Sequence, residues 1–242
     1  MTLMTPSEAM VESLRTEGVE VVMGVVGSAY QDALDLFEAA DIRFLPVRHE
    51  QAAAHMADAY ARVTGRHGVC IGQNGPGVTN MVTGLAAAYY NHAPVVAITP
   101  SSLSTGVGSG GFQEIDQMAV LRTATRYQTQ VASPGRMAES FRNVFRESMD
   151  QMGPAQIDIP RDYLYGDTDQ VVTRPENYRF AQRRSGDAAA VEQAAMALAG
   201  ASKPVIVAGY GVVVSGATDA AVVLAEHLCA PVANGFWHND SF

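Results

Sequence analysis

The sequence has 242 residues, of which 48% are hydrophobic and 17% are charged. This composition is typical of a folded globular protein and leaves room for one large domain or two small ones. The formal net charge of −9 argues against binding of nucleic acid or of an anionic membrane through bulk charge. A few arginines could still hold a small anionic substrate.

The cysteines and the N-terminal residues predict a cytoplasmic protein. Cys70 and Cys229 both lie in apolar segments, so we expect free thiols and a reducing compartment. Residues 1–8 have neither the basic region nor the apolar stretch of a signal peptide. No apolar run reaches the ~20 residues that span a bilayer, so no membrane partner is expected.

Strand and helix patterns alternate along the first two thirds of the chain. Thr5, Pro6 and Glu8 form a capping box, which predicts a helix that ends near Glu17. Further strands are predicted at 19–26, 42–47, 68–71, 94–99, 126–131 and 155–159, and further helices at 31–39, 51–63, 78–90 and 136–151. Continuous apolar strands that alternate with helices favour an α/β fold, a doubly wound parallel sheet with helices on both faces.

A second, shorter α/β pattern follows. We expect a first domain over 1–165, a linker over 166–186 that has no clear periodicity, and the start of a central α/β domain over 187–242. Two strands and two helices cannot bury both faces of a parallel sheet. We therefore expect either a fragment or a chain that needs a partner to complete this domain.

Two polar motifs stand between a predicted strand and a predicted helix. In the first, Glu50 follows an apolar strand and opens a helix, where a carboxylate is neither freely solvated nor obviously paired. Taken alone, such a residue is more often a surface carboxylate that the helix dipole favours. In the second, Gly75-Pro76-Gly77 forms a glycine-rich turn at a helix N-terminus, which alone could be a plain connection.

A third motif, residues 106–111, matches the dinucleotide pattern G-x-G-x-x-G, but the context is poor. The preceding strand ends six residues before the first glycine, and no acid closes a second strand about 20 residues later. We interpret this segment as a functional loop that leads into the cluster of aromatic and amide side chains at 112–117. The histidines show no metal-ligand spacing, so no metal site is predicted.

Taken in order, these motifs resemble the thiamine-diphosphate-dependent family that includes acetolactate synthase and sulfoacetaldehyde acetyltransferase. Residues 48–65 look like the glutamate motif of its pyrimidine-binding domain, 74–80 like its S/N-G-P-G-x-T-N turn, and 203–211 like the start of its central domain. Within the family, 72–77, 110–114 and 238–242 look most like sulfoacetaldehyde acetyltransferase. Acetolactate synthases usually have Pro-Gly-Gly where this chain has Gly27-Ser28-Ala29.

The resemblance implies thiamine diphosphate as cofactor and assigns roles to individual residues. In this family the glutamate, here Glu50, hydrogen-bonds N1′ of the aminopyrimidine and so favours the tautomer that removes the thiazolium C2 proton. Gln113 is expected to approach the reacting carbon and is the second catalytic residue that the resemblance implies. The residues implied in cofactor binding are Gly27, Ser28, Glu50, Pro76 and Asn80.

The resemblance also implies a reaction, in which sulfoacetaldehyde and phosphate give acetyl phosphate and sulfite. The alternatives are an acetolactate-synthase-like carboligase of 2-oxo acids and a non-catalytic short subunit. A homodimer or homotetramer is implied as well. Candidates for holding the sulfonate or phosphate are Arg48, Arg122 and Arg161.

The family holds the diphosphate and Mg²⁺ through Gly-Asp-Gly and a later Asn in a third domain. Here Gly166-Asp167 and Gly186-Asp187 are the only Gly-Asp steps, and neither continues with glycine. We therefore expect the diphosphate and metal-binding domain to be absent, no metal ligand within these residues, and a fragment that is inactive alone.

Overall fold

The computed structural model describes residues 2–179, 185–236 and 238–242. They divide into two compact units, the first of which ends at Arg179. The domain limits expected from the sequence, 1–165 and 187–242, stay a prediction. None of the helices within the described ranges is both long and apolar enough to cross a membrane.

The first unit is built around a six-stranded sheet, which confirms the predicted α/β class. Its strands, with two further ones, are β1 (Thr2–Met4), β2 (Val21–Gly24), β3 (Arg43–Pro46), β4 (Gly68–Ile71), β5 (Val95–Ser101), β6 (Tyr127–Gln130), β7 (Ala155–Pro160) and β8 (Thr168–Gln170). The order in the sheet is β3-β2-β4-β5-β7-β6, and every neighbouring pair is parallel. The inner strands β4 and β7 are buried along their whole length.

Helices cover both faces of this sheet, as predicted. They are α1 (Pro6–Thr16), α2 (Gln31–Asp35), α3 (Glu50–Thr64), α4 (Pro76–Tyr90), α5 (Gln117–Leu121) and α6 (Met137–Asp150). Consecutive strand residues point to opposite faces, so Val96 and Ile98 of β5 pack on the side of α1, α2 and α6. Val95 and Ala97 pack on the side of α3, α4 and α5. The capping box of α1 is confirmed, since Thr5 accepts from the backbone of Glu8.

Two features of the first unit differ from the sequence prediction. Strands β1 and β8 pair in an antiparallel ribbon, so β8 falls inside the segment that we expected to be an irregular linker. Three-residue strands are too short to show the alternation that sequence reading needs. The helix predicted over 31–39 ends at Asp35, and a separate turn at Glu38–Ala40 follows before the left-handed residue Asp41.

The second unit contains α7 (Ala188–Ala199), β9 (Ile206–Ala208), α8 (Tyr210–Ser215), α9 (Thr218–Leu228) and β10 (Val232–Asn234). Strands β9 and β10 pair in parallel. Apolar side chains of its helices are exposed, Met196 and Val223 among them.

The strand order sets the position of the site. The chain passes from β2 to β3 on one side and then returns to β4 on the other side of β2. The loops after β2 and β4 therefore separate at their carboxyl ends, which is where open parallel sheets bind ligands.

Candidate active site at the carboxyl edge of the sheet

Glu50 is the first residue of α3 and lies at this edge. Its N-cap is His49, whose Nδ1 accepts from the backbone N–H of Gln51 over 3.2 Å. The Glu50 side chain is only 7% exposed, so the alternative of a solvated surface carboxylate is wrong. Its charge also affects Tyr30. The pKa of the Tyr30 hydroxyl is raised mainly by burial and, to a smaller extent, by the negative charge of Glu50.

Asn80 holds this carboxylate from the neighbouring helix. Its Nδ2 donates to Oε2 of Glu50 over 2.9 Å. The two helices come close one turn further on, where a Cβ added to Gly84 would stand 2.5 Å from the Cβ of Ala54. Glu50 and Ala54 are four residues apart on α3, as Asn80 and Gly84 are on α4, so each pair shares a helix face. The small residues Ala54 and Gly84 thus allow the approach that joins Glu50 to Asn80.

Two glycines let the backbone pack closely against Glu50. A Cβ at Gly77 would lie 3.1 Å from Oε1 of Glu50, and a Cβ at Gly72 would lie 3.2 Å from its Cγ. Both distances are tighter than ordinary carbon contacts, so a larger residue at either position would press on the carboxylate. Pro76, which precedes Gly77 at the start of α4, is exposed at this edge.

Gln113 is placed against the glycine turn by its backbone. Gly75 has φ +69°, and a Cβ there would stand 2.2 Å from the carbonyl oxygen of Gln113. Asn74 donates from Nδ2 to the carbonyl oxygens of Phe112, at 3.2 Å, and of Gln113, at 3.4 Å. Gln113 itself adopts φ +59°, an uncommon conformation for a residue with a side chain. The structure therefore brings the loop after β5 onto the turn after β4.

The loop after β2 joins the same turn through Gln73. Oε1 of Gln73 accepts from the backbone N–H of Ala29 over 3.1 Å, and a Cβ at Gly27 would lie 2.3 Å from that oxygen. Gly27 is buried against Gln73, whereas Ser28 is exposed. The structure thus brings all the predicted site residues to the loops and helix starts at one edge of the sheet.

Sequence analysis included Gln117, the first residue of α5, in the cluster at 112–117 but gave it no role. Its side chain is 4% exposed. Oε1 accepts from the N–H of Gly75 over 3.2 Å, and Nε2 donates to the carbonyl oxygens of Thr99 and Pro100, each at 3.0 Å. Nε2 also donates to Asp158. Gln117 thereby ties the glycine turn to the ends of β5 and β7.

Asp158, on β7, is the centre of this buried polar network. Gln130 donates to its Oδ2 over 2.7 Å, and Ser101 donates to the same oxygen over 2.9 Å. Burial raises the pKa of Asp158, although the hydrogen bonds from Gln130, Gln117 and Ser101 act in the opposite direction. This network can be recognised only in the folded structure, because its members come from four separate segments of the chain.

Two cavities lie beside these loops. One, of about 170 Å³, is lined by Ser28, Gln73, Asn74, Ser102, Leu103, Gly106, Ser109, Gly111, Phe112 and Arg161. A second, of about 510 Å³, is lined by Ser101, Ser102, Val107, Gly108, Glu114, Ile115, Asp116, Gln117, Met118, Gln130 and Asp158. A larger groove of about 700 Å³ borders β1, β8 and α1, and none of the predicted site residues lines it. In the described part of the chain no three His, Cys, Asp or Glu side chains are grouped to hold a metal ion.

Comparison with known protein families gives two matches in chain order. Residues 4–120 match the N-terminal TPP-binding domain of thiamine pyrophosphate enzymes. Residues 191–242 match the central domain of the same enzymes. Thiamine pyrophosphate is thiamine diphosphate under another name, so both matches agree with the resemblance read from the sequence.

Curated relatives agree with these matches. A sulfoacetaldehyde acetyltransferase of Alcaligenes xylosoxydans xylosoxydans is 51% identical over 99% of this chain and 39% of its own length. One of Castellaniella defragrans is 50% identical over 99% of this chain and 40% of its own length. A probable acetolactate synthase large subunit of Methanocaldococcus jannaschii is 36% identical over 95% of this chain and 40% of its own length. The chain thus spans about 40% of the length of these relatives.

The observed α/β sheet, the order of the two domain matches and the identity to these relatives agree with one another. The chain belongs to the thiamine pyrophosphate enzyme family.

Proposed function

We propose that this chain is the N-terminal portion of an acetyltransferase that converts sulfoacetaldehyde and phosphate into acetyl phosphate and sulfite. The observation that carries the proposal is the buried Glu50 carboxylate, held by Asn80 at the carboxyl edge of the sheet. The relatives named sulfoacetaldehyde acetyltransferase also match at higher identity than the acetolactate synthases, 51% against 36%.

The residues present fit the aminopyrimidine half of thiamine diphosphate. Oε2 of Glu50 is engaged by Asn80, while Oε1 faces the glycine turn, where Gly72 and Gly77 allow the backbone to come close to the carboxylate. A carboxyl group can share a proton with a ring nitrogen, and a hydrogen bond within a buried site is stronger than one in water. A flat heteroaromatic ring also needs the close backbone approach that glycine permits.

When bound, thiamine diphosphate supplies a nucleophilic carbon and stores the electron pair that the reaction releases. Within this chain, Glu50 would exchange the proton with the pyrimidine nitrogen. Asn80 holds Oε2 of the carboxylate, which would keep Oε1 in one position for this exchange. Gln113, set against Gly75, would place an amide beside the substrate, and Pro76 and Ser28 would border the ring.

Product analysis tests the reaction. The complete protein that contains this chain, supplied with thiamine diphosphate, Mg²⁺, sulfoacetaldehyde and phosphate, is expected to release sulfite and form acetyl phosphate in equal amounts. Formation of acetolactate from pyruvate, without sulfite release from sulfoacetaldehyde, would establish the carboligase instead. Absence of both activities, with thiamine diphosphate still bound, would support a non-catalytic subunit.

Further parts of the proposal concern the assembly of subunits and the location of the protein in the cell. Mg²⁺ and the diphosphate would be held outside these 242 residues, so the chain alone is proposed to be inactive. A homodimer or homotetramer is proposed, in which a second subunit completes the site. A cytoplasmic location is proposed because Cys70 and Cys229 are both free thiols. Adding the separate C-terminal part to the purified chain, and measuring mass and sulfite release together, tests assembly and activity at once.

A further inference from the structure

The smaller of the two cavities beside the site is open to a molecule of modest size. Its volume is about 170 Å³, and cavities of about 150 Å³ accept benzene. Ser28, a predicted cofactor residue, lines one wall, and the loop after β5 forms another. The volume is well below the roughly 300 Å³ at which drug-sized ligands begin to fit, so a small substrate is the matching occupant.

The two cavities beside the site differ in the charge of the residues that line them. Among the described residues that line the smaller cavity, Arg161 is the only charged one. The 510 Å³ cavity instead has Glu114, Asp116 and Asp158 in its lining, and no basic residue among the described ones. An anion that enters this edge of the sheet is therefore attracted to the smaller cavity and repelled from the larger one.

The carboxylate beside Arg161 is already committed to another partner. Asp162 accepts from the backbone N–H of Ser104 over 2.7 Å and from its hydroxyl over 2.5 Å. These bonds fix the loop after β5 to the turn that carries Arg161. Within the described ranges no carboxylate lies within 4.0 Å of the Arg161 guanidinium. In the described part of the chain its guanidinium is thus not held in an ion pair.

We propose that Arg161, with the hydroxyls of Ser28 and Ser102, forms a subsite for a tetrahedral oxyanion. The oxyanion is either the sulfonate of the aldehyde substrate or inorganic phosphate, and the proposal rests on the function proposed above. Guanidinium groups bind such oxyanions through paired N–H donors, and serine hydroxyls add neutral donors. Of the arginines considered from the sequence, Arg48 and Arg122 line neither of the two cavities beside the site.

Steady-state kinetics of the complete enzyme with Arg161→Gln tests the subsite. The KM for one oxyanion is expected to rise about 10- to 100-fold, since hydrogen bonds to charged groups contribute about 1.5–3 kcal/mol. A rise in the KM for sulfoacetaldehyde at saturating phosphate identifies the sulfonate, and a rise in the KM for phosphate at saturating aldehyde identifies phosphate. Arg161→Lys, which keeps the charge but loses the planar fork, is expected to fall between wild type and Arg161→Gln.

Arg43→Gln is the matched control, because Arg43 is exposed at the start of β3, away from the carboxyl edge. If neither KM in Arg161→Gln moves more than in Arg43→Gln, the subsite is wrong. Should the complete protein release no sulfite, titration of the cofactor-loaded protein with inorganic phosphate and with ethanesulfonate still tests the subsite. Weaker binding to Arg161→Gln than to Arg43→Gln supports the proposal, and equal or undetectable binding to both overturns it.

Discussion

Asn80 donates a hydrogen bond to Oε2 of Glu50 over 2.9 Å, across the contact between α3 and α4. The bond joins two residues that follow different strands, β3 and β4, which are not neighbours in the sheet. It fixes one carboxylate oxygen and leaves the other at the glycine turn. The direction of this bond makes Oε2 of Glu50 an acceptor, and Oε1 is the oxygen to which we assign the proposed proton exchange.

Glu50→Gln is expected to lower kcat of the complete enzyme by about 100-fold or more, because general acid–base groups contribute roughly 10²–10⁴. The amide oxygen can still accept from Asn80, so the fold should be kept. Sulfite release measures the loss, and circular dichroism together with thiamine diphosphate titration checks the fold and cofactor binding. Near-normal turnover in this variant would contradict the proton-carrying role.

Gly84→Ala is expected to disturb the same bond from a distance. The new Cβ would stand 2.5 Å from the Cβ of Ala54 and 3.0 Å from the backbone N of His55, so α3 and α4 must separate. Overpacking of this kind costs about 1–3 kcal/mol, although alanine favours the helix by up to ~1 kcal/mol. Denaturant unfolding measures the stability, and the KM and kcat of the complete enzyme report the displaced carboxylate.

Gly135→Ala serves as the control for that change. A Cβ at Gly135 would have no atom within 4 Å, and the residue has no positive φ. Its unfolding free energy is expected to stay within about 0.5 kcal/mol of wild type. If Gly84→Ala is as stable and active as Gly135→Ala, close packing of the two helices does not set the geometry of the site.

Much of the sheet can be predicted from sequence because its strands are short apolar runs between turn residues. The strand at 68–71 and the helix after Glu50 agree closely with the structure. The ribbon of β1 and β8 could not be predicted, since its pairing joins residues more than 160 positions apart. Local periodicity carries no information about such a pairing.

Prediction of the site depended on the order of the motifs rather than on any single residue. Glu50, Asn80 and Gln113 could be proposed because each stands in a recognisable motif. Gln117 stood in the cluster at 112–117 but received no role, because a glutamine at a helix start is usually a surface residue. Its link to the glycine turn is the contact with Gly75, 42 residues away, which only the folded structure shows.

Gln117→Leu is expected to weaken binding of thiamine diphosphate about tenfold. Leucine has a similar size but leaves the N–H of Gly75 and the carboxylate of Asp158 without this partner, at about 1–3 kcal/mol for each unpaired group. The glycine turn should then lose its fixed position. Cofactor titration of the complete enzyme measures the effect, with Gln151→Leu as the control, because the Gln151 side chain donates to Glu147 at the exposed C-terminal end of α6. Equal cofactor affinity in the two variants would refute the positioning role.

We expect the buried His67 to make the folded protein less stable in acid. Its Nε2 bonds the carbonyl oxygen of Phe145 over 2.9 Å, and its ring packs edge-on against the Phe145 ring. Burial, with the charge of Arg179 second, lowers the pKa of His67 to about 3, although the bond to Phe145 acts in the opposite direction. In the unfolded chain the pKa is about 6.5. The native state therefore resists protonation that the unfolded state accepts.

The difference between the folded and unfolded pKa of His67 sets the direction in which stability changes with pH. The contribution of His67 is complete above about pH 6.5 and is lost as pH falls toward 3, by up to roughly 1.4 kcal/mol per pH unit. Glu17 gives a pH dependence of the opposite sign. Burial raises the pKa of its carboxyl to about 7, although the nearby Arg179 acts in the other direction. The contribution of Glu17 to stability is therefore lost as pH rises. Only the difference between wild type and His67→Gln isolates the histidine. Denaturant unfolding of both proteins at pH 5 and 7.5 should show wild type losing more stability on acidification. Parallel losses in the two proteins would mean that His67 does not stay neutral in the folded state.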